Sequence, residues 1–249
     1  ISMGMQSANT NVLKVLDRTH NPGNVAKSVD NARKAGFDNV SLDLIYGTPG
    51  ETLQEWEETV KTALSYGINH LSAYALIVED GTKLSAKIKR GEIAKPDDDL
   101  MAQMYLKVDE LAAAAGLDWY ELSNWGRAAE HNLVYWRNQN WWGLGPGAHS
   151  HMDGVRWWNV KHPNIYKKKL ESFESPMQDR ESLTAEQKRD EAIMLQIRLR
   201  EGLAISDLSE SQLATLDKYP NEVSFENNRA ILTLPGRLIA DRIVRELVL

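Results

Sequence analysis

The sequence predicts an α/β protein in which successive βα units build a parallel sheet and a small, mostly helical domain follows. Three observations predict it. Ala35-Gly36-Phe37, Tyr66-Gly67-Ile68 and Ala115-Gly116-Leu117 each close a helical pattern at a glycine, and each is followed within a few residues by a strand-like run, at 40–45, 71–77 and 119–122. Residues 40–52 read as an apolar strand, a Gly/Pro loop and a helix start, with Thr52 and Glu55 spaced as a capping box. After a polar stretch at 171–183 that contains Pro176, helical periodicity takes over.

The elements follow in order. Ile1-Ser2-Met3-Gly4-Met5-Gln6-Ser7 alternates apolar with small or polar residues, as a strand does, with no cap or turn before it. A native chain seldom begins inside a core strand, so the expectation is the later part of a longer protein. Val12, Leu13, Val15 and Leu16 give residues 9–17 a helical face, Asn21-Pro22-Gly23-Asn24 is a turn, and residues 25–35 form the next helix. The helix over 53–66 sets Trp56, Val60, Ala63 and Leu64 on one side, as a helix covering a sheet requires. Residues 79–99 are a polar excursion turning at Asp80-Gly81, read as a loop over the site, and residues 100–115 are an Ala- and Leu-rich helix.

From 119 to 158 the composition shifts: seven of the eight tryptophans lie here, with His131, His149 and His151. Gly143, Gly145 and Gly147 alternate in one loop, a spacing that lets a ligand approach the backbone but is too loose for a dinucleotide fingerprint. Residues 161–169 are basic and read as a solvated helix face. The expected organisation is one domain over 1–170, a linker at 171–183, and a second domain over 184–249. That domain opens on a capping box at Thr184 and Gln187, continues through helices over 186–200 and 206–218, a hairpin over 222–234 turning at Glu226-Asn227-Asn228, and a last helix to 247. Helix, helix, hairpin, helix is a winged-helix-like order, which invites a DNA-binding reading. Charge opposes it: from Ser206 onward seven acidic residues face five basic ones, so a packing or interaction module is the better reading.

The bulk numbers fit an ordinary globular protein. The chain has 249 residues, 42% hydrophobic and 26% charged, enough for one large domain or two smaller ones. A formal net charge of -6 argues against nucleic-acid binding as the main task. No apolar run approaches a membrane span and no signal-peptide series is present, so a cytosolic protein is expected. The chain has no cysteine, so it supplies no disulfide, thiolate zinc site or iron–sulfur ligand of its own.

Asp43 is the anomaly in the central strand. A carboxylate inside an apolar strand is costly to bury unless a donor or cation meets it, so it reads either as a ligand contact or as an Asp hydrogen-bonded to a neighbouring loop. It lies just before a loop at the C-terminal end of a strand, where α/β folds place their sites.

Three motifs together carry a resemblance. Residues 1–7 with Arg18-Thr19-His20, then Leu42-Asp43-Leu44-Ile45-Tyr46-Gly47-Thr48-Pro49-Gly50, then His131-Asn132-Leu133-Val134-Tyr135-Trp136 with residues 143–150, resemble the radical S-adenosylmethionine proteins related to oxygen-independent coproporphyrinogen III oxidase. The His-Asn-x-x-Tyr-Trp element is similar to that of the haem-chaperone branch. The resemblance implies the later part of a partial, TIM-like (β/α) barrel, starting at about its fourth strand, then a family-specific C-terminal domain. The family's cluster-binding Cys-x-x-x-Cys-x-x-Cys loop would lie upstream, so a [4Fe-4S] cluster belongs to the full-length protein only. Matched positions imply S-adenosylmethionine contacts for Gln6, Arg18 and Asp43, and less directly for Ala75 and His149. A carboxylate accepts from ribose hydroxyls or an amino group, and a guanidinium meets a carboxylate. His131 matches the haem-binding position, with Asn132, Tyr135 and Trp136 beside it; an imidazole can ligate haem iron and flat rings can meet a porphyrin. On residues alone, the structural histidine in an aromatic core is the favoured reading of His131. The implied function is a haem chaperone that passes haem to respiratory haem proteins. The alternative is an enzyme oxidatively decarboxylating coproporphyrinogen III. A half barrel would also leave an open strand edge and invite self-association.

Overall fold

Strand alternation, rather than an unbroken apolar run, organises the first part of the chain. β1 (Ser2–Gln6) is followed by α1 (Thr10–Val15), α2 (Gly23–Lys34), β2 (Ser41–Tyr46), α3 (Leu53–Ser65), β3 (His70–Ala75), α4 (Lys83–Lys89), α5 (Asp98–Ala114), β4 (Trp119–Glu121) and β5 (Asn124–Gly126). β1, β2 and β3 run parallel, with Gly4 opposite Asp43 and Asp43 opposite Ser72. Paired residues share a face. Leu42, Leu44, Leu71 and Ala73 therefore lie together, almost fully buried beneath α3 and α5. Ser2, Gly4, Ser41, Asp43, His70 and Ser72 form the opposite, polar face. This computed structural model describes residues 1–248, in two compact units that divide between Ala128 and Ala129.

The first unit's helices are fixed by residues read from the sequence. Thr52 and Glu55 form the capping box of α3. Trp56, fully buried, donates from Nε1 to the Met104 carbonyl at 2.8 Å and stands 5.5 Å from the Tyr46 ring, which ties α3 to α5 and to β2. The expected all-parallel sheet is corrected at its far side. The strand order is β1-β2-β3-β5-β4, and β5 is antiparallel to both of its neighbours. Only Leu122 and Ser123 separate β4 from β5, so the chain turns straight back. The buried Glu121 carboxylate accepts from the Ser123 amide at 3.0 Å and from the Asn124 side chain, which holds that turn. The polar excursion at 79–99 also carries a helix, α4, capped by Thr82.

In the second unit the order is α6 (Glu130–Trp136), β6 (His149–Met152), β7 (Val155–Asn159), α7 (Pro163–Glu171), β8 (Met177–Ser182), α8 (Ala185–Gln196), β9 (Leu203–Ala204), a 3₁₀ turn over Ile205–Asp207, α9 (Glu210–Leu216), β10 (Val223–Glu226), β11 (Arg229–Leu232), α10 (Leu234–Leu238) and α11 (Ala240–Val248). β6, β7 and β8 form an antiparallel sheet. The stretch expected as a linker thus holds a strand, and the division between units falls earlier in the chain. Every residue of β8 is exposed, so no apolar alternation marks it in the sequence. The last stretch contains helix, helix, hairpin and helix in the order read above. Asn227 and Asn228 take φ of 49° and 60°, the left-handed pair that a two-residue hairpin turn needs. The final helix is broken at Ile239.

Trp56→Phe keeps the ring's apolar bulk but removes the donor to the buried Met104 carbonyl. We expect it to lower unfolding stability by about 0.5–1.5 kcal/mol, measured by urea titration, because one buried hydrogen bond is lost while the Met104 carbonyl, inside α5, keeps its intrahelical partner.

Candidate functional site

The polar face of the parallel strands ends in a cleft of about 400 Å³ lined by Gln6, Asp43, Ile45, Tyr74, Ala75 and Ile77, among others. Asp43 reaches it from the middle of β2, half-buried, with Oδ2 accepting from Ser2 Oγ at 2.7 Å. Gln6 reaches it through a bulge. The β1 register slips between Gly4 and Gln6, and Gln6 takes φ of 62°. Its side chain folds back so far that a Cβ on Gly4 would stand 2.5 Å from Gln6 Nε2. A bulge that re-aims one side chain beside a carboxylate is a common device at functional sites. Ala75 and Tyr74 lie exposed at the end of β3.

Arg18 lines an adjoining cleft of about 500 Å³, which shares Ile45, Leu76 and Ile77 with the first. The structure thus brings Gln6, Asp43 and Ala75 to one cleft and Arg18 to its neighbour. His131, Asn132, Tyr135, Trp136 and His149 belong to the second unit.

The neighbouring polar groups separate into two kinds. At the N-terminal end of the strands, His70 is buried and held between Ser41 Oγ at 2.7 Å and Tyr120 Oη at 2.9 Å. Burial pushes its pKa down, against the opposing charge of Asp43. At the C-terminal end, Glu51 was not singled out in the sequence, yet only 3% of it is exposed. Its Oε2 accepts from the Thr48 amide at 3.3 Å, while Oε1 and the Thr48 hydroxyl have no hydrogen-bond partner among the described residues. Burial raises its pKa to about 7, with backbone hydrogen bonds from Thr48 and Gly47 pulling the other way. A Glu just after Gly50 in a turn gives no sequence signal of burial, because Glu is rarely buried.

In the second unit, α6 places His131 and Tyr135 one turn apart on one side and Asn132 and Trp136 on the next, while Leu133 is buried. His131 is exposed, with Nε2 3.4 Å from Tyr135 Oη. It ends an aromatic series, His131, Tyr135, Trp141, His151, with successive ring centroids 5.1, 5.0 and 4.9 Å apart. The buried end of that series is His151, whose Nε2 accepts from the Gly154 amide at 3.2 Å, so Nδ1–H donates to the Gln139 carbonyl at 3.1 Å. The structural histidine of this aromatic group is therefore His151, and His131 is its open end. His149 is exposed and stacks on Trp158 at 5.7 Å.

The glycine-rich loop is not a ligand cradle. Gly143 N–H donates to Ser150 Oγ at 2.9 Å, Gly145 N–H to Tyr166 Oη at 3.1 Å and Gly147 N–H to the Val160 carbonyl at 3.0 Å, so the loop's glycine amides are spent internally. Gly143 is needed because a Cβ there would strike the His149 backbone.

Parallel strands with helices on one face and a polar cleft at the strands' C-terminal ends define the class of a partial (β/α) barrel. The radical SAM superfamily signature matches residues 1–63. Over 99% of this chain and 63% of its own, the solved coproporphyrinogen III oxidase (HemN) from Escherichia coli, described as a radical SAM enzyme, superposes with a TM-score of 0.80 at 18% identity, a likeness of fold. The heme chaperone HemW of Mycobacterium tuberculosis is 45% identical over all of this chain, and that of Bacillus subtilis 34% identical over 87% of it. The chain belongs to the radical SAM family of HemW- and HemN-like proteins. It spans 65% and 58% of the lengths of those two relatives.

Membership implies S-adenosylmethionine and a [4Fe-4S] cluster. The first fits the donors present: a half-buried carboxylate and a bulge-aimed amide on one polar face, with a guanidinium in the adjoining cleft. The second does not fit this chain's own residues, which include no thiol. Among the described residues no group of three or more His, Asp or Glu side chains is arranged to hold a metal ion, and no helix is long and apolar enough to cross a membrane.

Glu51 binds its proton more tightly in the folded than in the unfolded chain. Stability is therefore full below the ordinary Glu pKa and falls as pH rises towards 7, by up to about 1.4 kcal/mol per pH unit. Glu51→Gln is expected to flatten that fall and to be the more stable protein at pH 8; thermal melts of both proteins from pH 4 to 8 measure it.

Proposed function

We propose that the protein carrying this chain is a radical SAM haem chaperone, which binds haem and S-adenosylmethionine and hands haem to haem-dependent respiratory proteins in the cytosol. In this reading Gln6, Arg18 and Asp43, with Ala75 and His149, contact S-adenosylmethionine, and the cluster is carried by the remainder of the full-length protein. Asn132, Tyr135 and Trp136 surround the haem, and His131 is its iron ligand. The observation that carries the reading is the exposed His131 imidazole at the open end of an aromatic series anchored by the buried His151. An imidazole with Nδ1 unengaged among the described residues, backed by flat rings, suits haem iron and porphyrin together. The family's other named activity, oxidation of coproporphyrinogen III, is the rival.

Haem titration of this chain, followed at the Soret band, is expected to saturate, and His131→Ala to weaken binding at least tenfold or to change the ligation spectrum. Identical titrations would return His131 to a purely structural role. Formation of protoporphyrinogen IX by the full-length, cluster-reconstituted protein would overturn the chaperone reading in favour of the enzyme.

β1 is the edge of the sheet and pairs with β2 alone. An unpaired parallel edge is a template for a further strand, so this chain by itself is expected to self-associate. Sedimentation velocity over a wide concentration range checks it, and a monomer throughout would refute it.

A further inference from the structure

The last part of the chain, read from its sequence as a packing or interaction module, holds a cavity that none of the site residues above lines. It has a volume of about 450 Å³ and opens between α8 and the connection from β9 to α9. Ile193 and Leu203, both fully buried, form its floor, and Ala192 and Leu208 stand half-buried beside them. The methyl of Ala192 leaves the cavity open where a larger side chain would enter it. Two exposed charges of opposite sign share the walls, Arg189 on α8 and Asp207 at the end of the 3₁₀ turn, and they do not pair with each other. Nearby ionised groups do find partners: Glu191 of α8 pairs with Arg156, and Arg198, just beyond α8, with Asp241 at 2.6 Å. Arg189 has no ion-pair partner among the described residues, and the Asp207 carboxylate accepts there only from its neighbour, Ser206 Oγ, at 3.2 Å.

We propose that this cavity binds a small zwitterion with an apolar side chain, the chemistry of a free aliphatic α-amino acid. Its carboxylate meets the Arg189 guanidinium, whose planar fork matches a carboxylate, and its ammonium meets the Asp207 carboxylate. Its side chain lies on Ile193, Leu203 and Leu208. Complementarity selects that class. An inorganic anion would face Asp207 and leave the floor bare, a cation would face Arg189, and a neutral apolar molecule would leave both charges unmatched. The volume is at the small end of the range for ligand sites, which suits a single amino acid better than a peptide. The inference rests on neither the haem nor the S-adenosylmethionine reading, since no residue assigned to either lines the cavity.

L-Leucine is the probe. Titrated into methyl-labelled protein and followed by NMR, it should shift the Ile193, Leu203 and Leu208 methyl signals saturably, with a dissociation constant on the order of 1 mM for so small a ligand. Leucinamide, which lacks the carboxylate, isocaproate, which lacks the ammonium, and glycine, which lacks the side chain, should each bind about fivefold more weakly or worse. Arg189→Gln and Asp207→Asn should each weaken leucine binding by about the same factor, with unchanged melting temperatures because both side chains are exposed. Leucine and leucinamide should bind Arg189→Gln equally, which ties the ligand carboxylate to that guanidinium. No shift of these methyl signals, equal binding of leucine and either leucinamide or isocaproate by the wild type, or leucine binding unaltered in both charge variants would each overturn the proposal.

Discussion

The first unit depends on one constraint: β1, β2 and β3 must be apolar on the face that meets α3 and α5 and polar on the other. In a parallel sheet, residues paired across strands point the same way, so one polar residue in β2 commits its partners. Asp43 commits Gly4 and Ser72, and with them a face that also carries Ser2, Ser41 and His70. A one-residue slip would drive Asp43 beneath the helices and bring Leu42 out, exchanging a hydrogen-bonded half-buried carboxylate for an unpaired buried one, a cost of several kcal/mol. The register that keeps the apolar core intact is thus the register that puts a carboxylate in a cleft, and no separate cause is needed for the site's position.

Gln6 shows what that constraint leaves adjustable. β1 could end on the same alternation, but its bulge shifts the pairing so that Gln6 faces Leu44 in register and folds over Gly4. Gly4 is small where that amide must pass, and the left-handed φ at Gln6 is the accompanying strain. In the second unit the equivalent economy lies in α6, a helix of only seven residues. Leu133 fixes its buried side, so the two i, i+4 pairs that follow from helical geometry are set at its surface: His131 with Tyr135, and Asn132 with Trp136.

Much of this was legible in the sequence, and for stated reasons. The glycine-closed βα repeat, the Thr52 and Thr184 capping boxes and the Asn-Asn hairpin turn are local signals whose physics lies within a few residues. Asp43 was legible as an anomaly, although the strand around it read as an apolar run because Leu42, Leu44, Ile45 and Tyr46 outnumber the residues of the polar face. What was hidden depends on partners far along the chain. β8 consists of exposed polar residues and is a strand only because β7 pairs with it. The antiparallel insertion of β5 follows from the Glu121-held turn. The alternate glycines looked like a cradle because the acceptors of their amides, Ser150, Tyr166 and Val160, are set by a fold that spacing does not encode.

The two ends of the sheet differ in a way that separates stability from function without appeal to any relative. At the strands' N-terminal end the polar groups are closed upon one another: Ser41, His70 and Tyr120 form one chain, and Asn69 donates to the Asp38 carbonyl and to Asn39 while accepting from the Val40 amide. At the C-terminal end they are left open. Among the described residues Thr48 Oγ1 and Glu51 Oε1 lack partners and Arg18 and Lys14 lack counter-ions, and Ile77 and Tyr74 stand exposed. Leaving a buried polar atom unpaired costs about 1–3 kcal/mol, and the open groups here contrast with the closed Ser41, His70, Tyr120 and Asn69 network at the other end. Unsatisfied polar groups, uncompensated cations and exposed apolar side chains are thus gathered at one end of the parallel sheet, the end at which α/β folds place their sites.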